Sequence, residues 1–173
     1  MNRNTSKILL VVSLLAGVLL AAVPVAAQAS RTTFTATEFM CGAEPGNEWF
    51  TRDGTKQHIR GQVFHDVVVS DEPRMTGAAL AFVNMNVDLL SGDCNAWGKE
   101  IYEVAGGSWI MNYSGRCVGF VYAGGGVGRG TGDLQGQVLF LEAQQLVEIP
   151  AGNTCPSGVA YGAYALSGYI LEP

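Results

Sequence analysis

Residues 56–90 read KQHIRGQVFHDVVVS, DEPRM and TGAALAFVNMNVDLL. Two apolar-rich runs, Lys56–Ser70 and Thr76–Leu90, flank a turn. In that turn Asp71-Glu72-Pro73-Arg74 sets proline at the second position, where its fixed φ is suited. Each run spans 15 residues, against about five or six for an ordinary strand. Strands of that length suit a sheet that tilts, bulges and curls until it closes. The second run separates into two faces. Met75, Gly77, Ala79, Ala81, Val83, Met85, Val87 and Leu89 share one, and Thr76, Ala78, Leu80, Phe82, Asn84, Asn86 and Asp88 share the other.

The rest of the chain continues in the same style. Thr32–Met40 reads as a strand and Cys41–Gly54 as a loop. After Ser91–Ala96, strands are expected over Gly98–Val104, Ser108–Tyr113, Arg116–Ala123, Leu134–Leu146 and Val159–Leu171, with glycine-rich connections. No segment after residue 30 carries a sustained helical period with caps. Chain ends that both read as strands can pair and complete a closure. The expectation is an all-β fold, an antiparallel β-barrel of about eight strands in a single domain, 30–173.

Residues 1–29 read as a signal peptide. Arg3 and Lys7 precede the apolar run Ile8–Val23, Pro24 ends it, and Ala27-Gln28-Ala29 is a small-x-small cleavage site before Ser30. The expected location is secreted, periplasmic or otherwise extracytoplasmic. Without Arg3 and Lys7, 8 of the 10 basic residues remain against 15 acidic ones. That balance argues against a nucleic-acid partner or an anionic membrane surface.

In an oxidising compartment the four cysteines, Cys41, Cys94, Cys117 and Cys155, read as two disulfides. There is no C-x-x-C to suggest zinc. Of three possible pairings, the hairpin favours one. A turn at Ala105-Gly106-Gly107, with Val104 facing Ser108, leaves Cys94 and Cys117 one position from direct opposition, close enough for a small bulge to join them. Cys41 then pairs with Cys155.

The segment Gly124–Asp133 has glycines at 124, 126, 128, 130 and 132. It lacks the Gly-Lys-Ser/Thr ending of a phosphate loop. On a strand these glycines share one face, bare enough for a ring such as Trp109, Tyr113, Phe120 or Tyr122 to lie against the sheet. The stretch Gly130-Thr131-Gly132-Asp133-Leu134-Gln135-Gly136 resembles the Gly-x-Gly-Asp/Glu-h-x-Gly pattern of the allene oxide cyclase-like barrels, which include dirigent-like proteins. Asp53-Gly54, His58-Ile59-Arg60-Gly61 and Pro73-Arg74-Met75-Thr76-Gly77 are similar to pieces of small secreted bacterial proteins of that general shape. The resemblance covers roughly a third of the chain after the signal segment. It implies a calycin-like eight-stranded barrel and transfers no catalytic residue.

Candidate chemistry is sparse. Asn84, Asn86 and Asp88, with Phe82, Trp109 and Tyr113 as aromatic walls, are the candidate ligand-binding residues at one mouth of the barrel. The alternative has Met85 and Val87 facing the core. His58 and His65, seven positions apart on one strand, are expected on opposite faces and make a poor metal pair. Asp88 and Asp93 lack the spacing of a calcium loop. Glu100 and Glu103 are expected at strand ends or in solvent. No G-x-S-x-G elbow anchors a hydrolase triad. Nothing here calls for a cofactor, a metal or a catalytic residue.

The leading expectation is therefore a non-catalytic binding module for an apolar or amphipathic small ligand. An isomerase or cyclase, as the resemblance allows, and a purely structural envelope protein are the alternatives. A barrel interior packed solid with side chains would dispose of the first two together.

Overall fold

The computed structural model describes residues 29–152 and 154–173; the expected signal segment, apart from its last residue, lies outside them. Among the described residues there are nine strands: β1 (Ser30–Glu44), β2 (Asn47–Phe50), β3 (Lys56–Ser70), β4 (Gly77–Asp88), β5 (Cys94–Val104), β6 (Gly107–Val118), β7 (Val121–Gly130), β8 (Val138–Gln145) and β9 (Gly162–Glu172). Two single 3₁₀ turns, Pro73–Met75 and Gly132–Leu134, complete the elements.

Eight strands close an antiparallel barrel. Each of β3 to β9 pairs with its neighbour in sequence, β1 pairs with β9, and β1 also pairs with β3. Closure depends on the length of β1. It holds one register on β9 from Ser30↔Glu172 to Met40↔Gly162, while its C-terminal part lies along β3 from Ala36↔Ser70 to Glu44↔Val63. The ninth strand, β2, continues beyond the rim along the same edge of β3, from Asn47↔Arg60 to Phe50↔Gln57. Gly46, between β1 and β2, lies close against the β3 backbone. A Cβ there would sit 2.6 Å from the Arg60 carbonyl oxygen and 2.7 Å from the Gln62 nitrogen.

Alternation assigns the interior. Facing inward are Phe34, Ala36 and Glu38 of β1, Phe64, Asp66 and Val68 of β3, Ala79 to Val87 in steps of two on β4, and Ala96, Glu100 and Tyr102 of β5. One end is plugged. Met75 and Leu134, delivered by the two 3₁₀ turns, are buried against Phe34, Trp109, Leu139 and Ile170. Trp109 Nε1 donates to the Arg74 carbonyl at 2.8 Å. Arg74 in turn binds Glu72 at 2.8 Å and Glu172 at 2.7 Å, tying the turn to the last strand.

The glycine-rich segment is the inner face of β7. A Cβ on Gly126 would meet Met111 Sδ at 2.8 Å, and one on Gly124 would meet the Tyr122 hydroxyl at 2.1 Å. Side chains from within the barrel thus lie on bare backbone. Tyr122, one of the rings expected there, also covers Gly115.

Several sequence expectations need correction. Val104 opposes Gly107, not Ser108, with Gly106 at φ +88 in the turn. That register places Cys94 directly opposite Cys117, and no bulge is needed. Ser108–Tyr113 and Arg116–Ala123 are not two strands: β6 runs unbroken to Val118 and turns at Gly119-Phe120. The expected Cys41–Gly54 loop holds the end of β1 and all of β2. His58 and His65 share the outer face, because Gly61 (φ +66) forms a bulge in β3 that shifts the alternation between Ile59 and Gln62.

The disulfides are Cys41–Cys155 and Cys94–Cys117. The first fastens the segment before β9 to the outside of β1, over Phe39 and Ala163. The second joins β5 to β6 near the open rim.

Candidate functional site

Above the plug the barrel is hollow. A cavity of about 330 Å³ opens toward the end where Leu89 and Phe120 stand on the β4–β5 and β6–β7 turns. Its volume falls in the range of small-molecule pockets, roughly 300–1,000 Å³. Apolar side chains, among them Val83, Met85, Val87, Met111 and Leu141, make most of the wall. Tyr113, Tyr122 and Tyr164 contribute aromatic surface.

The floor is acidic. Glu38 from β1, Asp66 from β3 and Glu100 from β5 each bring a carboxylate oxygen within 4.8 Å of the others. They are 5%, 6% and 7% exposed. Local sequence permits the convergence. Between Asp66 and Glu100 stand Ala79 and Ala81 of β4, paired to the flanking strands at those very positions, and a methyl group leaves room for two carboxyls to meet. Gly98, one inward step from Glu100, leaves space for the Tyr113 ring, whose hydroxyl lies 2.8 Å from where a Cβ would be.

Three carboxyls so close and so dry cannot all ionise. Burial, then the neighbouring Glu100, pushes Asp66 up to about 8. Burial first, and then Glu100, raises Glu38 far above the carboxylate range. Burial also raises Glu100. Tyr102, in the layer beneath, is raised by burial and by Glu100 beside it. Glu38 Oε1, Asp66 Oδ1 and the Tyr102 hydroxyl are buried without a hydrogen-bond partner.

The residues chosen from sequence fall differently. Tyr113 lines the cavity, whereas Trp109 lies below it in the plug. Asn84, Asn86, Asp88 and Phe82 are on the outer wall, because Met85 and Val87 take the inward phase of β4. The polar three do structural work there. Asn84 Oδ1 accepts from the Gly61 amide at the β3 bulge. Asn86 Oδ1 accepts from Arg60 at 2.7 Å and meets His58 Nδ1 at 2.8 Å. Asp88 accepts from the Leu90 amide in the β4–β5 turn. The Arg60 guanidinium lies 5.1 Å from the Trp49 ring and 4.8 Å from Trp97, making an aromatic seam across this wall.

The sequence reading does not anticipate the acidic floor, and Glu100, expected at a strand end or in solvent, is buried within it. A signal for it exists in the sequence: each carboxylate lies in phase with the apolar face of its strand, Glu38 with Phe34 and Ala36, Asp66 with Phe64 and Val68, Glu100 with Tyr102. A charged residue in the buried phase of a long strand is the pattern to seek.

No family model, curated protein or solved structure matches this chain.

Proposed function

We propose that the protein is an extracytoplasmic binding barrel for a small amphipathic ligand. The observation that carries this reading is the cavity, open at one end, apolar in its walls and lined at its floor by buried, unpartnered oxygen atoms. An apolar body would lie among Met85, Val87, Met111 and Leu141, and a polar end would satisfy the floor. Two disulfides accord with an oxidising compartment, as does the signal-like N-terminus. Among the described residues no helix is long and apolar enough to cross a membrane.

Native mass spectrometry of the protein purified from its own host tests the proposal. A reproducible small-molecule adduct, lost on denaturation, is the expected result. Repeated recovery of the bare polypeptide mass counts against it.

One observation favours a second reading, an isomerase or cyclase. A carboxyl that keeps its proton at neutral pH, as Asp66 does, can act as a general acid toward a bound molecule. Incubating the recovered ligand with fresh protein separates the two: unchanged chromatographic retention supports binding, and conversion to an isomer of equal mass supports catalysis.

A further inference from the structure

The floor specifies more than polarity. Its unpartnered carboxyl oxygens are acceptors, and no lysine, arginine or histidine lines the cavity among the described residues. The chain's own ion pairs lie elsewhere, at Glu44, Glu72 and Glu172. The chemical complement of these acceptors is a donor with positive charge. We infer that the ligand is a small apolar amine, held with its ammonium nitrogen among Glu38, Asp66 and Glu100. This rests on the binding reading above.

The stereochemistry fits. A primary ammonium offers three N–H donors, and three carboxyls from three strands converge within 4.8 Å. Charge-assisted hydrogen bonds of this type are the strong class. The next layer supplies Tyr113, Tyr122 and Tyr164, whose rings attract a cation better than alkyl walls do. A hard divalent metal fits less well. Calcium or magnesium takes six or more oxygen ligands, which three carboxyls supply only if each binds through both oxygens, and the surrounding Ala81, Met111 and Leu141 offer none. The apolar volume above the floor would also be left without an occupant.

A proton balance follows. Glu38 and Asp66, faced by Glu100, Tyr102, Tyr113, Tyr122 and Tyr164 and by no basic group, are raised by burial and by Glu100 and so favour their protonated forms. An arriving ammonium favours their ionised forms, so those protons leave to solvent as the amine binds.

The test is isothermal titration calorimetry of the disulfide-bonded protein at pH 7, in two buffers of different ionisation enthalpy. The probes are 2-phenylethylamine and its neutral counterpart 2-phenylethanol. The amine should bind at least about tenfold tighter, with net proton release that the alcohol does not show. Asp66→Asn should narrow the gap between the amine and alcohol affinities and reduce the proton release on amine binding, and Glu100→Gln is the second variant should the first fold poorly. Equal binding of both probes to the wild type overturns the ammonium assignment and leaves the binding reading standing. Failure of both probes to bind overturns the two together. Binding of CaCl₂, MgCl₂ or ZnCl₂ that the amine cannot displace overturns it in favour of a metal site.

Discussion

The plugged end of the barrel and the carboxyl floor one layer above it treat polar groups in opposite ways. At the plug the indole and the guanidinium are partnered: Trp109 donates to the Arg74 carbonyl, and Arg74 is held by Glu72 and Glu172. Burial there accompanies a complete set of hydrogen bonds, as stable cores require. On the floor, Glu38, Asp66 and Tyr102 are as deeply buried and have unpaired atoms. The chain is able to satisfy buried polar groups and does so where it is building stability. Crowding three buried carboxyls at the bottom of a cavity marks a place where stability is given up.

The sharpest way to break this contrast is to damage the plug. Trp109→Ala removes a fully buried indole and its hydrogen bond, and should cost about 3–5 kcal/mol, read as a lower denaturation midpoint in urea. Damage to the floor should act in the other direction. Asp66→Asn keeps the shape and removes the charge, and should leave the protein about 1–2 kcal/mol more stable at pH 8. A loss as large as that of Trp109→Ala would mean that the floor is structural.

The pH profile sharpens the same point. In the fold Asp66 holds its proton up to about pH 8; in the unfolded chain it releases it near 4. Between those values the native state binds more protons than the unfolded state, so stability declines as pH rises. The contribution is fully present below about pH 4 and lost as pH passes 8. Equilibrium unfolding from pH 4 to 8 should show this decline in the wild type and a shallower one in Asp66→Asn. At the rim the expected effect is smallest. Phe120, at φ +68 with its ring packed on Gly92, lines the entrance. Phe120→Ala should change stability by less than about 1 kcal/mol, while speeding release of a bound ligand in stopped-flow measurements.

Much of the fold was legible because long strands carry their own signature. Lys56–Ser70 has the bounds read from its composition, and the sheet closes as strand length suggests. The cysteine pairing was legible through the hairpin, even though the assumed turn was one residue out. Which face of β4 points inward was not legible. Both faces carry apolar residues, and only the neighbouring strands, supplying Ala96 and Glu100 opposite Met85 and Ala81, select between them. The histidines failed for a related reason, since a bulge at Gly61 inverts an alternation that the sequence alone presents as continuous.

By itself, the sequence determined an all-β chain with strands long enough to close and two cysteine pairs able to staple it, because alternation, turn chemistry and length act locally. Only the tertiary structure decided that Glu38, Asp66 and Glu100 share one dry floor. They lie on three strands, and their meeting depends on closure through β1 and β3, on the phase each bulge imposes, and on the small alanines of β4 that let carboxyls meet across the barrel.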